Sequence, residues 1–206
     1  GSLVEGKEVF ENMPMREIVS WNAMITCYAK SGNSFEALKL LSEMFGENVK
    51  PNRTTFVCAL KACAPPTCLE DGVKKVHKYI VDQGLENDMM VASSLVEMYA
   101  KYKCIDDAKS VFNSMTVRDV VSWTSLILAY TENGQATQAL SCLEKMKTES
   151  MIPNSVTYVC SLKACGSIEA LHNGREIHFH IVSRGFDSCL IVVSSLVDMY
   201  AKCFSC

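Results

Sequence analysis

The sequence predicts an all-α protein, a right-handed α-solenoid superhelix of stacked helix-turn-helix hairpins, on three observations. The first is self-similarity: residues 18–52 (IVSWNAMITCYAKSGNSFEALKLLSEMFGENVKPN) return 102 residues later (18 to 120) as residues 120–154 (VVSWTSLILAYTENGQATQALSCLEKMKTESMIPN), both 35 residues long. The second is spacing. Trp21, Met24, Ile25 and Tyr28 fall on one helical face, and Ala37, Leu38, Leu41 and Met44 on another, so each copy encodes two amphipathic helices. The third is punctuation: Gly32 and Gly134 separate the two helices, and Pro51 and Pro153 close the unit. A lone hairpin leaves its apolar faces bare, so neighbours must stack into a superhelix.

Taken in order, residues 1–17 (LVEGKEVFENMPMRE from Leu3) match residues 105–119 (IDDAKSVFNSMTVRD) and read as the second half of a short (S) repeat. Residues 18–52 form a standard (P) repeat. Residues 53–88 form a longer (L) repeat, echoed by 155–189 through the shared Leu-Lys-Ala-Cys block at 60–63 and 162–165 and through His77 and His178. Residues 89–119 form a 31-residue S repeat, 120–154 a second P repeat and 155–189 a second L repeat. Residues 190–206 repeat the front of the S motif, SSLVDMYAKC answering SSLVEMYAK. The array therefore reads as one solenoid domain excised from a longer one, with both ends inside a repeat. Five complete units exceed the roughly three that a stable stack needs.

Composition narrows the function. With 206 residues and 49% hydrophobic content the chain is ordered rather than disordered. No apolar run approaches the roughly 18 residues of a membrane helix, and no targeting pattern opens the sequence. Neither a membrane nor a small-molecule substrate is expected as a partner. The net charge of −3 lacks the basic excess common in nucleic-acid binders, which favours the alternative of a helical-repeat scaffold for protein–protein interaction. Eleven cysteines, an odd number lying mostly in helical patterns, read as reduced thiols packed like small hydrophobes.

The alternation of 35, 36 and 31 residues with SWNAMI, LKAC and MYAK blocks closely resembles the PLS subclass of plant pentatricopeptide repeat proteins, over essentially the whole chain. The protein-binding 34-residue consensus Trp-x₂-Leu-Gly-x₂-Tyr is absent. The resemblance implies single-stranded RNA binding in a mitochondrion or chloroplast, one base per repeat, read by the fifth and last residues of each unit. The implied pairs are Asn22 with Asn52, Ser93 with Asp119, and Thr124 with Asn154. Ionised Asp119 only accepts hydrogen bonds and so suits guanine or uracil, whose ring nitrogen carries a proton. Asn52 and Asn154 donate as well and suit adenine or cytosine.

In the family, Ser or Thr at the fifth position goes with purines and Asn with pyrimidines, so the implied target is 5′-C-N-G-A-N-3′. The incomplete and L repeats place Glu17, Val57, Asp88, Val159, Cys189 and Ser194 at the corresponding positions; Val57 and Val159 cannot hydrogen-bond a base. The family sandwiches bases with the second residue, here Val19, Met90, Val121, Val156 and Ile191, with Thr54 the polar exception. It places a phosphate contact at the thirteenth, here Lys30, Lys101 and Lys202, whereas Glu132 departs from the pattern.

Ordinary packing and capping compete with these roles. Trp21, Trp123, Tyr28, Tyr99, Tyr130 and Tyr200 recur at helical spacing as inter-repeat core, and Asn, Asp, Ser and Thr are also the usual helix caps. No catalytic centre, metal site or cofactor is expected. Cys203-Phe204-Ser205-Cys206 is a lone CxxC, and His178 and His180, two apart on a helix, point in different directions. The His-x-Glu and Pro-Cys-x-x-Cys of a cytidine deaminase are absent. Any C-to-U editing would draw on a further C-terminal region or on an editing-factor protein partner.

Overall fold

The computed structural model describes residues 3–64 and 70–204. Among the described residues the chain forms twelve α-helices and no strand: α1 (Leu3–Glu11), α2 (Ile18–Lys30), α3 (Ser34–Gly46), α4 (Arg53–Ala62), α5 (Glu70–Asp82), α6 (Met89–Lys101), α7 (Ile105–Ser114), α8 (Val120–Glu132), α9 (Ala136–Thr148), α10 (Ser155–Ser167), α11 (Leu171–Ser183) and α12 (Leu190–Cys203). None of these helices is long and apolar enough to cross a membrane.

The even-numbered helices pack each against the next as a continuous inner layer. Each later odd-numbered helix wedges between two consecutive inner ones, and α1 lies against α2. This is the right-handed α-solenoid of stacked hairpins that the repeat predicts. Position explains sequence. Helix α8 is flanked on several sides and buries eight residues, among them Trp123, Leu126, Ile127 and Ala129. The outer helix α7 buries only Ala108, Val111 and Phe112, one narrow stripe. Each large side chain fully removed from water contributes about 1.5–3 kcal/mol, so cohesion comes mainly from the inner seam.

The recurrent tryptophans are core, as their spacing predicts. Trp21 and Trp123 meet Phe10 and Phe112 edge to face, with ring centres 4.9 and 4.7 Å apart. Arg16 and Arg118 lie over those phenylalanine rings at 4.9 and 4.8 Å. Each guanidinium donates Nε–H to the phenylalanine carbonyl and pairs with an acid of the following outer helix's end, Glu47 or Glu149. Two identical clasps, one per P repeat, thus join an S unit to the P unit behind it. A second repeated contact ties the layers: His77 Nδ1 lies 2.8 Å from the Tyr99 hydroxyl, and His178 Nδ1 lies 3.0 Å from that of Tyr200.

Helix ends follow local chemistry. After α2, α6 and α8 the chain turns through a left-handed residue, and a 6→1 backbone bond closes the turn: Asn33 N–H to Tyr28, Cys104 to Tyr99 and Gln135 to Tyr130. Glycine fills this position after α8 (Gly134, φ 72°), whereas Lys103 fills it after α6 (φ 60°). A Cβ at Gly134 would meet nothing within 4 Å, so its cost there is purely conformational. We expect Gly134→Ala to destabilise by about 1 kcal/mol. Lys103→Gly should stabilise by a few tenths to about 1 kcal/mol. Urea denaturation midpoints at unchanged m-value check both. Helix α4 stops at Ala62, whereas α10 continues to Ser167; Pro65 and Pro66 follow the first and Gly166 lies within the second. Proline disfavours helical backbone before it and offers no N–H, which accounts for the early stop.

Candidate nucleic-acid interface

The last residue of each complete repeat is the N-cap of the next inner helix. Asn52, Asp88, Asp119 and Asn154 all have extended backbone there, and each accepts a backbone N–H with its side chain. Glu17 and Cys189 occupy the same position without a side-chain cap, as expected for a carboxylate one methylene too long and a weakly accepting thiol. Capping and base reading are therefore compatible roles, because the cap uses only one end of the side chain.

The cap decides which end remains. Asn52 Oδ1 accepts from the N–H and the hydroxyl of Thr55 at 3.0 and 3.1 Å, and Asn154 Oδ1 accepts from the same groups of Thr157 at 2.9 and 3.0 Å. With the oxygens engaged, the Nδ2 donors of both amides are left without a hydrogen-bond partner among the described residues. Asp119 Oδ1 accepts from Ser122 N–H at 2.8 Å and from the Ser93 hydroxyl at 2.9 Å, which leaves Oδ2 as an outward acceptor. Asp88 differs. Its Oδ1 caps α6, while Oδ2 faces Arg53 Nη1 at 3.8 Å, so the first L repeat pairs an occupied carboxylate with the apolar Val57.

The expected pairs are brought together to different degrees. Ser93 and Asp119 touch directly across 26 residues of sequence. Thr124 and Asn154 are linked through Thr157, whose Oγ1 lies 2.7 Å from that of Thr124. No direct bond joins Asn22 to Asn52 among the described residues; instead Asn22 Oδ1 is buried without a hydrogen-bond partner. Ser93 and Thr124 are only 4% and 8% exposed, so these two fifth residues sit inside the seam between inner helices and the residues that cap the next helices form its rim. Val57 and Val159 are half-buried, and Ser194 is exposed.

Beside that rim the second residues are apolar yet open. Val19, Met90, Val121, Val156 and Ile191 range from 47% (Val121) to 70% (Val19) exposure, against near-complete burial of the core beneath them. Thr54 is exposed as well. A periodic line of exposed aliphatic side chains next to free donors and acceptors offers both the apolar faces and the hydrogen bonds that unpaired bases need.

The thirteenth-position charges are unequal. Lys101 and Lys202 are held by Glu97 and Asp198 one turn back, at 2.7 and 2.6 Å, in exposed pairs of little energetic weight. Lys30 is exposed and has no acid partner among the described residues. Glu132 pairs with Lys163 of the next inner helix. Sequence reasoning missed Lys163, its counterpart Lys61, and the Ser or Thr three residues after each P- or S-repeat cap. An Asn-x-x-Thr capping-box pattern is the signal that finds Thr55 and Thr157.

Other chemistry is poorly supported by the surroundings. Glu70, Cys104 and Asp107 bring ligand atoms within 4.8 Å of one another. Lys74 already stands 2.5 Å from Glu70, and burial, followed by hydrogen bonding to Glu70, pushes the Cys104 thiol up to about 11. Burial likewise raises the Cys160 and Cys165 thiols to about 11 and about 12, so both are protonated packing groups at neutral pH. His178 faces Tyr200 whereas His180 lines an outer groove with Lys147 and Arg184, so the two imidazoles diverge. Cys206, the second cysteine of the CxxC, lies outside the described residues.

Comparison with known proteins agrees with this fold. The model of the PPR repeat family matches residues 16–64 and 118–167, and a PPR repeat model matches residues 91–120. An Arabidopsis thaliana pentatricopeptide repeat-containing protein, At2g33680, is 39% identical over 204 residues, which cover 99% of this chain and 28% of that protein. The chloroplastic CRR2 of the same plant is 38% identical over 208 residues, covering 98% of this chain and 32% of the relative. The chain thus spans about a third or less of the curated relatives it matches. The crystal structure of PPR10 from maize superposes with a TM-score of 0.80 at 21% identity, over 98% of this chain and 29% of PPR10. PPR10 in complex with an 18-nt psaJ RNA element superposes at 0.69 and 18% identity, over 98% of this chain and 36% of that one. From its repeated sequence, its stacked hairpins and these matches together, the chain belongs to the pentatricopeptide repeat family.

Proposed function

We propose that this chain is a sequence-specific single-stranded RNA-binding module of the PLS type, in which each P or S unit reads one base and each L unit reads none. One observation carries the reading: the caps leave Nδ2 of Asn52 and Asn154 and Oδ2 of Asp119 uncommitted, beside exposed aliphatic residues spaced one per repeat. An outward amide donates to the ring acceptor of adenine or cytosine, and an outward carboxylate oxygen accepts from the ring N–H of guanine or uracil. The fifth residue limits base size, and the second residues Val19, Met90, Val121, Val156 and Ile191 sandwich the base planes. The target on this reading is 5′-C-N-G-A-N-3′.

In a longer protein the module supplies recognition for organellar RNA processing, C-to-U editing included, with the chemistry residing in another region or in an editing-factor partner. Relatives named chloroplastic and mitochondrial support an organelle as the location. Filter-binding titration against 5′-CNGAN-3′ RNA and a scrambled RNA tests the proposal. Tighter retention of the matched sequence is the expected result. Equal or absent retention of both would favour the protein-scaffold reading, for which the net charge of −3 speaks.

A further inference from the structure

We propose that the first L repeat grips the RNA backbone: Lys61 joins Lys30 in a two-lysine phosphodiester site between α2 and α4, whereas the equivalent site between α8 and α10 is closed by Glu132. The inference rests on the RNA-binding reading above and extends it to the first of the two units that read no base.

Lys163 on α10 reaches across the seam to the carboxylate of Glu132, the last residue of α8, at 2.5 Å, with both side chains partly open to solvent. Glu132 holds the thirteenth position of its repeat, so the contact fixes where the α10 lysine points: toward the ridge formed by the ends of the inner helices. The sequence repeats at 102 residues, which maps Glu132 onto Lys30 and Lys163 onto Lys61. Helices α2 and α4 pack directly against each other, and so do α8 and α10. By that correspondence the first seam sets two ammonium groups where the second sets an ion pair.

Both lysines of the first seam are exposed and have no acid partner among the described residues. Adjacent like charges repel, and a monoanionic phosphate entering between them is attracted to both. The same chemistry at the second seam is suppressed because Glu132 occupies Lys163 and repels the anion. Phosphate contacts position a strand without reading it, which suits a unit whose fifth residue is Val57.

The test exchanges the two seams. Glu132→Lys installs the first arrangement at the second seam, and Lys30→Glu installs the second arrangement at the first, so each variant carries a pair with which the fold already forms elsewhere. Fluorescence anisotropy of labelled 5′-CNGAN-3′ and scrambled RNA is followed across a salt series with the 206-residue chain and each variant. Glu132→Lys should tighten both RNAs several-fold at low salt and steepen the plot of log K against log salt by about 1.4, since two cations become available. Lys30→Glu should flatten it by a similar amount, and Lys61→Gln alone by about 0.7. Selective RNA binding by the wild type with an unchanged slope in Lys61→Gln or Glu132→Lys overturns the grip but leaves the base-reading proposal standing. A wild-type chain that binds no RNA at low salt overturns both.

Discussion

Replacing Trp123 by alanine should cost about 3–5 kcal/mol, the range for emptying a buried aromatic site, and should broaden the thermal transition. The indole is 2% exposed, stands edge to face on Phe112 at 4.7 Å and lies under the Arg118 guanidinium, so its loss opens a cavity in the seam that joins the S unit to the second P unit. In a solenoid the coupling between neighbours makes melting concerted, so weakening one interface separates the two halves of the transition. Trp123→Phe should be much milder, because the indole N–H has no hydrogen-bond partner to forfeit. Differential scanning calorimetry checks the ordering. On the proposed reading the effect should also reach base recognition, since Trp123 lies four residues from Asp119 in the first turn of the helix that Asp119 caps.

Asp119→Asn should leave stability within about 1 kcal/mol, because asparagine caps helices as well as aspartate does. It should change the base read at the third position of the target. With Oδ1 retained by Ser122 N–H and the Ser93 hydroxyl, the outward atom becomes an amide donor instead of a carboxylate oxygen. Guanine then presents a donor to a donor, whereas adenine presents an acceptor. The stake is about 1–3 kcal/mol, by analogy with other good base-edge contacts. Competition binding with RNAs differing only at that base measures the reversal from guanine to adenine. A variant that weakens binding to all four bases equally would show that Asp119 serves the helix cap alone.

The fold was legible because its determinants are local and occur twice. Gly32 with Pro51, and Gly134 with Pro153, bracket the same helical spacing of apolar residues, and helices α2 and α8 begin at matched positions, Ile18 and Val120. The capping propensity of Asn52, Asp119 and Asn154 was equally local. Contacts made by stacking were not legible. Ser93 with Asp119, Thr124 with Thr157, and Lys163 with Glu132 lie 26 to 33 residues apart and meet only when one hairpin settles on the next. The Arg118 clasp with Phe112 and Glu149 belongs to the same class.

Two features fell between these extremes. The Glu97–Lys101 and Asp198–Lys202 pairs obey i,i+4 spacing and are readable from sequence, beside the phosphate role that the resemblance implies for both lysines. The left-handed conformation of Lys103 was hidden because sequence signals for that turn rest on glycine, which Gly134 supplies and Lys103 does not. The base-reading assignment itself came from resemblance. Capping alone explains those residue types, and only the division of each side chain into a bound end and a free end adds a physical reason for reading.

On the proposed reading a capped side chain presents one fixed hydrogen-bonding end to one base. Four RNAs identical to 5′-CNGAN-3′ except at the third base, titrated against the intact chain at one salt concentration, measure it most directly. Guanine should bind tightest, with adenine, whose ring nitrogen cannot donate to Asp119 Oδ2, weaker by about tenfold or more. Four equal affinities would contradict it.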